Sequence, residues 1–359
     1  MIIVKNKQFK TPCYIYDIKQ LHKNILAYKN ILGNDIKLLY ATMANPRIEI
    51  LKELPKFNIG VFVNSLSHLN NSLFSNIPEQ DINYAGSGHS KEIIEAISQK
   101  KISYCADSIN QLKLIPQNSK MKLGLRINVG SLLNNSFDPA PRLGIDIEEI
   151  KEAIEFNPKI SILHVYLGTN LEDSKKYLIA LKELIRVSKD FPSIDTIDLG
   201  GGLAFSPNEN PFIHDILLDI KNTWEKYKYS NLKLILEPGR AIVRSIATLY
   251  VKVTDVKIRN NTQYISVNTS GTWYPRKIIH NADDHFISLF NKTKNRNKMD
   301  SIITGSTTFS KDFLAELNFD RVEIGDIIQF KLTGAYCEAM HMDFLGIESP
   351  NIYFLDTKE

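Results

Sequence analysis

Four short stretches of the chain carry residue types that can do chemistry, each placed where an apolar run ends. In IDLGGGLAF, Gly200, Gly201 and Gly202 are consecutive. Such a triplet leaves backbone N–H groups open to close approach by an anion such as a phosphate, although a tight strand-to-helix turn uses the same residues. In LILEPGRAIV, Glu237 and Arg240 bracket Pro238 and Gly239. The carboxylate could keep a ring nitrogen protonated, and the arginine could brace it or grip a phosphate; a structural ion pair is the plainer use. In ILHVYLGTN, His164 and Tyr166 point the same way along a strand, with Gly168 and Thr169 following. A lone strand histidine is usually a satisfied core residue, but the Gly-Thr step favours ligand contact. In GAYCEAM, Tyr336 offers a phenol to a phosphate or ring, whereas Cys337 reads as a small buried residue rather than a nucleophile.

These residues need elements that bring strand ends together. Short apolar runs predict strands over 37–41, 60–64, 82–85, 103–106, 122–128, 161–166, 196–199 and 233–237. Runs of this kind suit parallel strands buried on both faces. Helical patterns such as SKKYLIALKELIRVSKDF fill the gaps, and 18–32 has helical spacing with Leu21, Ile25, Leu26 and Ile31 as core candidates. The alternation fits an α/β fold of the (β/α)8 TIM-barrel kind better than an open doubly wound sheet, and barrels gather functional residues where strands end. From Ser245 onward the texture changes to alternating apolar and polar residues, with Asn260-Asn261 as a turn, which predicts a C-terminal antiparallel β domain. NKTKNRNKMD, 291–300, is polar and reads as a solvated loop, with phosphate binding as an alternative.

The bulk numbers are those of a globular protein: 359 residues, 43% hydrophobic, 23% charged, net charge +4. Basic residues are dispersed among acids, so charge gives no argument for nucleic acid. Cys13, Cys105 and Cys337 have no metal-ligand spacing, so no metal is expected and a reducing compartment is the default. The opening MIIVKNKQFKTP is too short and charged for a signal peptide, and no run approaches a membrane span. The expectation is a cytoplasmic protein without membrane or nucleic-acid partners.

Taken in order, the stretches TPCYIYD, YAGSGHS, ADS, LRIN, PRLGI, DLGGG, EPGRAIV, VEIGDII and GAYCEAMHMDFLG resemble the fold-type III (alanine racemase-like) pyridoxal-phosphate decarboxylases, the ornithine, diaminopimelate and carboxynorspermidine group. The likeness spans nearly the whole chain. It implies a pyridoxal 5′-phosphate-binding barrel over 25–245 and a β domain made of 1–24 with 246–359. It also implies a homodimer with shared sites and a small substrate containing an amino acid. By motif, Gly200–Gly202 and Tyr336 would hold the cofactor phosphate, Glu237 the pyridine nitrogen, and Gly239 and Arg240 would support that region.

The departures from the family pattern carry as much information. YATMANP aligns with Tyr-Ala-x-Lys-Ala-Asn-Pro and puts Met43 at the Schiff-base lysine position, where a thioether offers no amine. His-x-Gly-Ser becomes Tyr166-Leu167-Gly168-Thr169, and tyrosine can still stack on a ring. TGSTTFSKD places Thr308 at the family's cysteine, with Phe309 after it, while Asp312 remains where an acidic substrate contact is expected. Two functions stay open. One is a decarboxylase that takes its substrate without the lysine. The other is a catalytically inactive homologue that binds the cofactor, an adduct or a partner protein; a racemase fits less well. Overall texture is also similar to the decarboxylase half of the microcin C maturation enzyme, in antibiotic biosynthesis. That likeness implies a 3-amino-3-carboxypropyl group on a nucleotide–peptide as substrate.

Overall fold

The computed structural model describes residues 1–133, 140–229, 231–280, 285–291 and 296–355. The chain divides into two compact units, Lys23–Ile242 and Met1–His22 with Val243–Glu359.

In the first unit, strands β1 (Ile36–Ala41), β2 (Gly60–Val63), β3 (Ile82–Ala85), β4 (Ser103–Ala106), β5 (Lys122–Ile127), β6 (Ile160–Val165), β7 (Thr196–Asp198) and β8 (Lys233–Leu236) form a closed barrel. Every neighbouring pair is parallel, and β8 closes on β1 through Leu234 opposite Ile36 and Leu236 opposite Leu38. The eight runs read from the sequence are these eight strands. Their near-continuous apolar character has a simple cause: side chains of GVFV, INYA and SYCA are buried on both faces, between the barrel interior and the helical layer. The connecting helices carry one apolar stripe. In Lys175–Asp190, Tyr177, Ala180, Leu181, Leu184, Ile185 and Val187 are buried.

Side-chain caps start several helices at the strand ends. Ser65 accepts from the His68 N–H, Ser108 from Gln111, Asn128 from Ser131 and Asn210 from Phe212. One core expectation needs correction. In the helix Ile18–Leu32, Leu21, Ile25 and Ile31 are buried, but Leu26 is 44% exposed. Tyr28 and Leu32 complete the stripe at the i+7 and i+11 positions from Leu21, while Leu26 falls well off that line.

The second unit is built on the long strand Ala247–Arg259, which pairs antiparallel with Thr262–Val267, Ile327–Lys331 and Cys13–Asp17. Asn260 and Asn261 take positive φ values of 46° and 59°, the geometry that a two-residue hairpin turn requires. The sheet is mostly antiparallel, with two parallel pairings: Thr262–Val267 with Lys298–Thr304, and Cys13–Asp17 with Asn351–Leu355. Of the polar stretch read as a loop, Lys298–Asp300 belong to that strand, and 292–295 lie outside the described residues.

Gly60 opens β2 where a Cβ would overlap the Asp81 carbonyl and come within 2.6 Å of Leu39 Cδ2. Gly60→Ala is therefore expected to destabilise the barrel by about 1–3 kcal/mol through overpacking. Thermal melts followed by circular dichroism check this, and an unchanged melting temperature would contradict it.

Candidate active site

The parallel register sets Arg126 on β5 opposite His164 on β6, and His164 opposite Asp198 at the end of β7. Glu237 follows β8 directly. His164, Asp198 and Glu237 are all buried, at 1%, 0% and 3% exposure. His164 Nε2 lies 3.3 Å from Glu237 Oε2. Asp198 accepts from Asn83 Nδ2 at 2.8 Å and from the Gly200 N–H at 3.0 Å. Phe62 stacks on the His164 ring at 5.5 Å and 11°.

Burying three titratable groups together forces them to share charge. Burial pushes the Glu237 carboxyl up to about 7, against the pull of a hydrogen bond with Asp198, the Arg126 charge and Asn83. Burial, then the Glu237 charge, holds Asp198 well above the usual carboxylate range. Burial also pushes His164 down to about 4; Asp198 works against this and Arg126 with it. Burial thus favours the uncharged form of all three, and Glu237, raised to about 7, is the carboxyl that a cation set against it can bring to ionise. The three offer ligand atoms within 4.8 Å of one another, as a metal trio would. Asp198 uses one oxygen on Asn83 and the other on Gly200, which fixes its carboxyl in the barrel wall. Among the described residues, Glu237 Oε1 and His164 Nδ1 have no hydrogen-bond partner although both are buried.

The glycine triplet has a structural and a binding side. Gly200 and Gly202 have φ values of +64° and +114°, and side chains there would strike Val165 and Gly168 carbonyl oxygens. A Cβ on Gly201 would strike the Glu237 carbonyl. The turn is therefore wedged between the ends of β6 and β8, with the Gly201 carbonyl accepting from Tyr177 Oη at 2.9 Å. The N–H groups of Gly201 and Gly202 find no acceptor among the described residues, and both glycines are half-buried. Two such donors on a bent backbone suit an anion.

Gly239 lets the turn after β8 approach the turn after β1. A Cβ there would press on Ala41 and Ala44 at 3.1–3.2 Å, and the Ala41 N–H donates to the Pro238 carbonyl at 3.3 Å. Met43 lies on that second turn, Thr42–Ala44, half-buried. It packs on an apolar cluster of Phe62, Ala85, Cys105 and Ile162, a seat that suits a thioether. Half-buried Tyr166 lies just beyond β6, with the Arg126 guanidinium 5.9 Å from its ring centre and Arg126 paired with Asp107 at 3.6 Å. Burial raises the phenol of Tyr166, with the Arg126 and Arg240 charges opposing. Thr169 is exposed on the same loop, and Arg240 opens the short helix Arg240–Val243.

Thr308, Asp312 and Tyr336 belong to the other unit. Thr308 is exposed. Asp312, expected to face substrate, is 3% exposed and turned onto its own loop. It accepts from Ser270 Oγ at 3.0 Å, Gly271 N at 2.6 Å, Thr307 N at 3.1 Å and Thr307 Oγ1 at 2.5 Å. Those donors fill its lone pairs, so its place in the structure is to hold the 305–312 loop against Ser270-Gly271. Tyr336 has φ +52°, a costly conformation for a bulky residue that its surroundings must enforce. Sequence reasoning passed over Asp198, Asn83 and Arg126. Asp198 and Arg126 stand inside the quoted runs IDLGGG and LRIN, and a charged residue within an otherwise apolar barrel strand is the signal that marks them.

Comparisons with known proteins agree with the barrel fold. Residues 18–244 match the family model described as pyridoxal-dependent decarboxylase, pyridoxal binding domain. The diaminopimelate decarboxylase of Methanocaldococcus jannaschii is 27% identical, over 98% of this chain and 88% of that protein. The diaminopimelate decarboxylase of Aquifex aeolicus is also 27% identical, over 92% of this chain and 83% of its own length. The crystal structure of the M. jannaschii enzyme superposes with a TM-score of 0.86 at 25% identity, covering 96% of this chain and 87% of that one.

The Glu237 shift has a measurable sign. Its folded value of about 7 stands above the ordinary 4.5, so its contribution to stability is full below pH 4.5 and is lost as pH rises through 7. Glu237→Gln cannot ionise. The melting temperature of the ligand-free variant, relative to the parent protein, is expected to rise between pH 5 and pH 8, and a pH-independent difference would contradict the burial argument.

Proposed function

The chain belongs to the pyridoxal-dependent decarboxylases, whose cofactor is pyridoxal 5′-phosphate, and on that premise we propose that its barrel binds this cofactor without a covalent link and decarboxylates an α-amino acid group. The observation that carries the reading is the pairing of a retained ring-nitrogen site with a missing amine. Among the described residues, Glu237 keeps an unpartnered buried oxygen and Gly201 and Gly202 keep free donors, while Met43 sits on an apolar seat.

The residues present fit the group. Gly201 and Gly202 N–H would take the phosphate, with Arg240 supplying positive charge nearby. Glu237 would face the ring nitrogen, where a ring N–H cation draws its proton equilibrium toward the carboxylate. Tyr166, with Arg126 beside its ring, offers an aromatic face for stacking. When bound, pyridoxal phosphate supplies an electron-poor ring that takes up the electron pair left as carbon dioxide departs.

The substrate class is an amino acid whose far end differs from the acidic and diamine types, because Thr308 and Phe309 stand where the family pattern has cysteine and an acid; a 3-amino-3-carboxypropyl group belongs in that class. The reading extends to a homodimer with shared sites, tested by light scattering on the purified protein. The three free cysteines are buried and fit a reducing compartment such as the cytoplasm. Among the described residues no helix is long and apolar enough to cross a membrane.

The experiment is a titration of pyridoxal 5′-phosphate into the protein and into Met43→Lys, followed by borohydride reduction and peptide mapping. Both proteins are expected to bind, with a reduced link only at position 43 of the variant. Carbon dioxide release from a panel including a 3-amino-3-carboxypropyl phosphoester then separates an enzyme from an inactive homologue. Failure of both proteins to bind would overturn the cofactor reading.

A further inference from the structure

Taking the cofactor reading as given, we propose that His68 is the base at the barrel rim beside Met43, and that Thr42 positions it. The argument is one of proton counting. Thr42 Oγ1 lies 3.0 Å from the Phe62 carbonyl oxygen and 2.9 Å from His68 Nδ1. A hydroxyl has one proton, and a carbonyl oxygen can only accept. With the Thr42 proton given to Phe62, the proton in the second bond belongs to His68 Nδ1. The imidazole is thereby fixed as the Nδ1–H tautomer, and Nε2 carries the free lone pair.

The histidine is anchored at its backbone too. Its N–H donates to the Ser65 cap at 3.2 Å, and its carbonyl accepts from Ser72 Oγ at 2.7 Å. No described residue occupies Nε2, and the side chain is half-buried. Burial holds the imidazole below its ordinary value, which favours the uncharged form. Thr42 directly precedes Met43 on the same turn. A competent base is thus tied, through the Thr42 hydroxyl, to the turn that carries Met43.

The chemistry balances without another reagent. A substrate amine arrives as its ammonium and has no lone pair to offer a carbonyl carbon. His68 Nε2 takes one ammonium proton, leaving that N–H electron pair on nitrogen for bond formation. The imidazolium then returns the proton to the hydroxyl that leaves as water, and no net proton is gained or lost. General base assistance of this kind is typically worth roughly 100- to 10,000-fold.

Two measurements test the inference. Nitrogen-15 NMR of histidine-labelled protein without cofactor is expected to show His68 protonated at Nδ1, and Thr42→Val is expected to release that preference; an Nε2–H tautomer in the parent protein would overturn it. With cofactor held by excess protein, the rate of condensation with methylamine is expected to fall at least ~100-fold in His68→Gln. The rate with hydroxylamine, which arrives unprotonated, should fall much less. Affinity for pyridoxamine 5′-phosphate should be unchanged. Bound cofactor with equal methylamine rates in both proteins removes this inference alone. Absence of bound cofactor in the parent protein removes the cofactor reading and this inference together.

Discussion

A carboxylate kept dry at the rim of a barrel is expensive, and the arrangement around Glu237 is shaped by that cost. Its neighbours lower the cost without cancelling the charge. Burial favours the neutral forms of His164 and Asp198, and Arg126 acts from a distance while committed to Asp107. The result is a group poised near neutrality, able to ionise when a cation is set against it. Its position depends on the barrel. Register fixes Arg126, His164 and Asp198 side by side, and the glycine turn closes over them because no Cβ intervenes between the β6 and β8 ends.

The Met43 turn is built differently. It packs tightly on the turn after β8 through Gly239, so its location beside the Glu237 turn is kept. Its surroundings, however, are Phe62, Ala85, Cys105 and Ile162. A lysine introduced there would lay its stem along the same apolar atoms. The thioether and its seat are matched to each other. Through the Thr42 hydroxyl, that turn is tied to His68 on the helix after β2.

Much of this was legible in the sequence, for identifiable reasons. The barrel strands announce themselves because burial on both faces demands unbroken apolar runs, and the Asn260-Asn261 turn because positive φ selects asparagine. The glycine triplet and Glu237-Pro238-Gly239-Arg240 were readable as chemistry at strand ends. What escaped depends on neighbours distant in the chain. Asp198 is raised by its burial and then by the Glu237 charge beside it, and the His68 tautomer follows from Thr42 and Phe62 carbonyl geometry. Asp312 looked like a substrate contact until its oxygens were found filled by Ser270, Gly271 and Thr307. Leu26 sits in a helical run of the right composition but on the wrong side of the helix.

The central claim is that the site recognises phosphate and ring nitrogen and makes no use of an aldehyde–protein bond. Isothermal titration with pyridoxal 5′-phosphate and with pyridoxamine 5′-phosphate, which lacks the aldehyde, tests it most directly. The account predicts comparable affinities for the two, at one molecule per chain. Binding of the aldehyde form alone would contradict it, by requiring an amine elsewhere in the protein to capture the cofactor.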